Sequence, residues 1–149
     1  MARDSLRVSA LPGGTTLFHN AQLSFRCDHA QRIVVVVRTA VPFQRVEEIE
    51  ATTAALVRVF PSERRAGFSI LSDFREGPLR VHPALEPAFT RYREESQRGF
   101  VRCAVIVATP VGRARGARLR EQEQSTQLLV TESVEAALAF VRSGSKPGP

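Results

Sequence analysis

The chain reads as one α/β domain, with a mixed central sheet in which N-terminal antiparallel strands are followed by βα units and about four helices. Three observations predict this. Residues 15–20 and 23–27 alternate apolar and polar side chains, as half-buried antiparallel strands do. Residues 33–37 are an unbroken β-branched run between Arg32 and Arg38, which suits a central strand covered on both faces. Beyond it, apolar strand segments alternate with segments of helical periodicity, and such alternation implies parallel strands joined by right-handed crossovers.

Taken in order, Leu6 to Ala10 are a candidate short strand, closed by the turn signal of residues 11–14. In the strand that follows, Leu23, Phe25 and Cys27 share one face, while Ser24 and Arg26 take the other. A turn at 28–31 leads into the β-branched strand. Pro42 is expected to set the start of the first helix, placed over 45–60, with Glu47 and Glu48 near its positive end. Val46, Ile49, Thr53, Leu56, Val57 and Phe60 would form its apolar stripe. Residues 62–67 read as an exposed return to a strand at 68–74. Pro83 opens a second helix with the stripe Leu85, Ala88, Phe89 and Tyr92, ended by Gly99. A strand at 101–108, a basic helix at 111–122, a strand at 127–130 and a helix at 133–142 complete the order. Thr131 and Ser133 are capping candidates for the last helix. The domain spans 1–142, and 143–149 has the composition of a disordered tail.

At 149 residues, with 43% hydrophobic and 24% charged side chains, the chain can bury one substantial core. Its longest apolar run falls far short of the roughly 20 residues that a membrane helix needs, and its first residues lack a signal-peptide core. The expected location is cytoplasmic. Cys27 and Cys103 both lie in strands and are expected to be buried thiols, not a disulfide. The net charge of +6 comes from twenty Arg and one Lys against fifteen acidic residues. The arginines are dispersed and aromatics are few, which argues against a nucleic-acid interface.

The chemistry-bearing patterns are sparse. Cys27, Asp28 and His29 are metal-ligand types, but neighbours on a strand point to opposite faces, and no second cluster completes a site. No metal and no cofactor is expected. Ser72, Asp73 and His82 are the residue types of a nucleophilic triad, yet no nucleophile-elbow pattern surrounds Ser72, and the chain reads as a non-enzyme. Arg113, Arg115, Arg118 and Arg120 follow Gly112 without phosphate-loop spacing; they form either a solvated helix face or a weak site for an anion or acidic partner. The most informative stretch is 68–83. It leaves the carboxyl end of a predicted strand, where ligands and partners of open α/β sheets usually sit. Its polar residues Ser72, Asp73, Arg75, Glu76, Arg80 and His82 admit two readings, an ion-pair network that fixes the turn or a partner-binding loop.

The order of elements over about residues 15–142 resembles the STAS domain of anti-sigma-factor antagonists and their SpoIIAA-like relatives, including the group placed with the lipid-binding Sec14 fold. The segments 35–43 (VVVRTAVPF), 71–75 (LSDFR) and 104–112 (AVIVATPVG) are similar to an uncharacterised bacterial SpoIIAA-like group. The resemblance implies a non-enzymatic regulatory domain that binds a protein partner, here through the 72–82 loop and the adjoining helix. It also implies phosphorylation of a hydroxyl at the start of the helix after the central strand. This chain departs from that pattern: after Asp73 no hydroxyl occurs until Thr90, and Ser72 is the nearest. The alternative implied by the Sec14 relatives is a small-molecule or lipid carrier, which requires an apolar pocket of at least a few hundred Å³. An N-terminal edge strand also leaves pairing with a second copy open.

Overall fold

The computed structural model describes residues 11–78, 81–110, 112, 114 and 127–144. They form an α/β fold on a six-stranded mixed sheet. The strands are β1 (Thr15–His19), β2 (Leu23–Asp28), β3 (Ile33–Arg38), β4 (Ser69–Asp73), β5 (Cys103–Ile106) and β6 (Leu128–Thr131), and they lie side by side in that order. The first three pair antiparallel, and β3 to β6 pair parallel. The helices whose bounds lie within the described residues are α1 (Val46–Val59), α2 (Glu86–Gln97) and α3 (Val134–Gly144).

Local chemistry explains the antiparallel half. The β1–β2 hairpin closes on Asn20, whose Oδ1 accepts from the N–H groups of Gln22 and Leu23 at 2.9 Å each. Between β2 and β3, Asp28 Oδ1 accepts from the N–H of Gln31 at 2.9 Å, and Arg32 takes a left-handed φ of 56°. Gly14 carries φ +94°, and a Cβ there would lie 2.0 Å from the carbonyl oxygen of Cys27, so only glycine fits.

The β-branched run is covered on both faces, as its composition predicts. Val34 and Val36 join Phe25, Ile70, Cys103 and Leu128 beneath α1 and α2. Ile33 and Val35 join Leu71, Ala104 and Ile106 against Ala137, Leu138 and Val141 of α3. Both crossover helices, α1 and α2, lie on one face, as a sheet that grows strand by strand with one crossover hand requires.

Three expectations are corrected. The first helix lies within its expected 45–60, at Val46–Val59, because Glu48 Oε1 accepts from the N–H groups of Gln44 at 2.8 Å and Arg45 at 3.0 Å and sets the start there. Its buried residues are Ile49, Thr52, Ala55 and Leu56, whereas Val57 is 42% exposed. Thr52 tolerates burial because its hydroxyl donates to Glu48 O at 2.9 Å and accepts from Asn20 Nδ2 at 3.1 Å. The 62–67 connection is not uniformly exposed, since Arg65 is completely buried. The last helix runs to Gly144, past the expected start of the tail. It is capped by Ser133, whose Oγ accepts from Ala136 N–H at 3.0 Å.

Of the helix expected at 111–122, the described residues Gly112 and Ala114 are helical. The candidate strand at 6–10 and residues 145–149 lie outside the described residues. No helix among the described residues is long and apolar enough to cross a membrane.

Candidate functional site

A cleft of about 1010 Å³ opens between the sheet and α2, on the α1/α2 face. That is the upper end of the roughly 300–1,000 Å³ typical of small-molecule sites. Leu23, Ile70, Val105, Leu128 and Val130 line it from the strands, and Leu85, Phe89 and Tyr92 from the second helix and its entry. The loops after β3 and β4 also contribute, through Pro42, Phe43, Gly77, Pro78, Val81 and His82. The cleft therefore sits beside the carboxyl ends of two parallel strands, the place that the sheet topology favours for a ligand.

The alternation that puts Val34 and Val36 on this face puts Arg38 there too. Arg38 is only 8% exposed. Its Nη1 donates to the carbonyls of Gln22 at 3.0 Å, Thr39 at 2.9 Å and Val41 at 2.7 Å. Its guanidinium carbon lies 4.7 Å from the centre of the Phe43 ring, a cation–π contact, and Phe43 packs edge-on against Phe89. Gly77 lets the loop after β4 lie against the stem of this arginine: a Cβ at 77 would come within 2.9 Å of Arg38 Cγ. Among the described residues no carboxylate pairs with Arg38. Burial lowers its pKa, and Tyr92 acts in the opposite direction. Tyr92 is itself 6% exposed, and its hydroxyl has no hydrogen-bond partner among the described residues. Burial pushes that phenol well up, with the charge of Arg38 opposing.

Ser72, Arg75 and His82 line the cleft; Asp73 does not. The strand, expected over 68–74, spans Ser69–Asp73, so Asp73 is its last residue and points to the face opposite Ser72. It is buried, and its oxygens accept from Arg75 Nε at 2.9 Å, Arg75 Nη2 at 2.8 Å and Arg75 N–H at 3.2 Å. This pair is the turn-fixing ion pair that the 68–83 stretch admits. Glu76 is exposed beside it. His82 Nδ1 accepts from Ala84 N–H at 3.1 Å and caps the short 3₁₀ turn Pro83–Leu85. Ser72, Asp73 and His82 are thus not assembled as a triad, because Asp73 faces away and both partners of a relay are bonded elsewhere. Arg80, Arg113, Arg115, Arg118 and Arg120 lie outside the described residues.

Both cysteines are free and buried. Cys103 lines the cleft, and burial pushes its thiol up to about 12, so it is an apolar lining group and not a nucleophile. Burial raises Cys27 as well. Among the described residues no group of three His, Cys, Asp or Glu side chains is placed to hold a metal ion.

Sequence reasoning missed Arg38 and Phe43 as site residues and read Tyr92 only as packing. The signal for Arg38 was present: it stands in phase with Val34 and Val36, so a strand covered on that face carries a charge inward. Nothing in the sequence marks Phe43 as the residue beneath it. Comparison with family models, curated proteins and solved structures returns no match for this chain.

Proposed function

We propose that the domain is a non-enzymatic, cytoplasmic binding domain of the STAS-like kind and that its cleft takes a small apolar or amphipathic molecule, in the manner of a carrier. The observation that carries this reading is the cleft itself: about 1010 Å³, predominantly apolar side chains, and a few convergent polar groups at its rim and floor. The test is a titration of the purified full chain, stripped of bound lipid in organic solvent, with the neutral dye Nile red. A saturable rise in fluorescence is expected. Val105→Trp, which fills the cleft from β5, should weaken it by about tenfold or more, the loss expected when a buried apolar contact surface is removed. No saturable binding by the wild type would sink the reading.

A second reading, a regulatory protein partner held by the 72–82 loop, is favoured by the exposure of Glu76 and Pro78 on that loop. Glu76→Arg reverses a charge there without touching the core. A protein retained from a lysate of the source cells by the wild type, and lost by the folded variant, is the expected result. Identical captured sets would remove the loop from consideration.

A further inference from the structure

We propose that the ligand of the cleft is an aliphatic monocarboxylate, its carboxylate bound by Arg38 and the Tyr92 hydroxyl and its chain lying along the apolar wall. This rests on the cleft being a ligand site. Arg38 uses only Nη1 on protein carbonyls; Nε and Nη2 make no hydrogen bond to a described residue. The three carbonyls satisfy donors but leave a full positive charge in a position 8% exposed, with no carboxylate partner described. A buried charge without a counter-ion is costly, and an incoming anion relieves that cost. The planar edge left by Nε and Nη2 is the geometry that takes both oxygens of a carboxylate. In the same cleft, and near enough to Arg38 for the two to interact electrostatically, the Tyr92 hydroxyl is a second donor that is more than nine-tenths buried and has no partner among the described residues. Native structures rarely leave such a group unsatisfied unless something else meets it.

Charge selects a single negative charge. Arg75 is already neutralised by Asp73 in a bidentate pair, and Arg93 and Glu86 bring opposite charges to the same wall, so Arg38 is the charge a single carboxylate would balance. The lining favours an aliphatic chain: it includes Leu23, Ile70, Phe89, Val105, Leu128 and Val130.

The experiment displaces Nile red from the lipid-stripped full chain with sodium hexadecanoate, 1-hexadecanol and monohexadecyl phosphate. Hexadecanoate is expected to compete about tenfold or more better than hexadecanol, the counterpart of a charge-assisted hydrogen bond. It should also compete better than the phosphate. The carboxylate-to-alcohol ratio should collapse in Arg38→Met. Where that variant proves unfolded by circular dichroism, Tyr92→Phe decides, because it removes a hydroxyl that bonds no described residue; the same ratio should fall several-fold. Equal competition by acid and alcohol in the wild type overturns the carboxylate assignment while the cleft reading stands. A wild type in which the phosphate wins overturns it in favour of a phosphate-headed lipid. Failure of Nile red and all three competitors to bind overturns both readings.

Discussion

Two buried arginines with opposite circumstances set the energetics at the residue scale. Arg65 is fully enclosed but paired with a carboxylate: Nε donates to Phe60 O at 2.9 Å, and Nη1 donates to Glu95 O at 2.7 Å, Glu95 Oε2 at 2.9 Å and Arg98 O at 2.9 Å, while Nη2 has no partner among the described residues. Its guanidinium also stacks 4.8 Å from the centre of the Phe100 ring. It ties the end of α1 and the loop after it to the end of α2, so it acts as a structural staple. Arg65→Met should cost about 3–5 kcal/mol, because it strands Glu95 and three carbonyls in a partly dry environment. Arg65→Lys should recover only part of that, since an ammonium lacks the flat fork. Urea denaturation measures both, and a loss below about 1 kcal/mol for the methionine variant would contradict the staple. Arg38 is the other case, a buried cation with carbonyl partners but no described counter-charge. Sequence position alone does not separate the two: each is one arginine among twenty, and only the surroundings make one a staple and the other a candidate binding group.

At the scale of the element, the first crossover helix shows how a polar residue overrides an apolar pattern. Glu48 Oε1 accepts from two backbone N–H groups ahead of α1, and Oε2 accepts from Gln22 Nε2 at 3.3 Å, so the helix start is tied to the β2 hairpin. These bonds, first of all the one from the Gln44 N–H, hold the Glu48 carboxyl below its ordinary 4.5. A pKa lowered by folding means that the native state binds fewer protons than the unfolded chain. The contribution is therefore present above about pH 4.5 and is lost as pH falls through the lowered native value. Glu48→Gln should lower the thermal midpoint at neutral pH and flatten its acid dependence, with the two proteins converging at strongly acid pH. Parallel acid curves would show that Glu48 does not set the cap. The helix and its approximate length were legible from the 46–60 periodicity. Its start at Val46 falls within a residue of the expected one, and Ile49, Leu56 and Phe60 of the expected stripe are buried. The place of Thr52 on that face was not legible, because Thr52 can be buried only where Asn20 meets it.

At the scale of the whole molecule, α3 packs on one face of β4 to β6 among the described residues, and on the other face the cleft lies between the sheet and α2. The Val105→Trp substitution tests this at its own scale. The indole enters open space instead of a packed core, so stability should change by less than the roughly 1–3 kcal/mol of ordinary overpacking while Nile red binding falls. A large loss of stability would mean that the cleft is already filled by the protein itself. The same geometry explains why Asp73 and Ser72, neighbours in sequence, belong to different parts of the molecule: one closes a turn with Arg75 and the other faces the cleft.

The sequence by itself determined the α/β class, the order of strands and helices, the two-sided burial of residues 33–37 and the location of the 72–82 loop at the carboxyl edge of the sheet. These follow from periodicity and turn chemistry, which act over a few residues and are written along the chain. The tertiary structure alone decided that Arg65 is interior, that Asp73 is spent on Arg75, and that Arg38, Phe43 and Tyr92 converge on one cleft. Those residues come from a strand end, a loop and a helix separated by as many as 54 positions. Their meeting depends on the register of β3 against β4 and on the seating of α2, which no local pattern encodes.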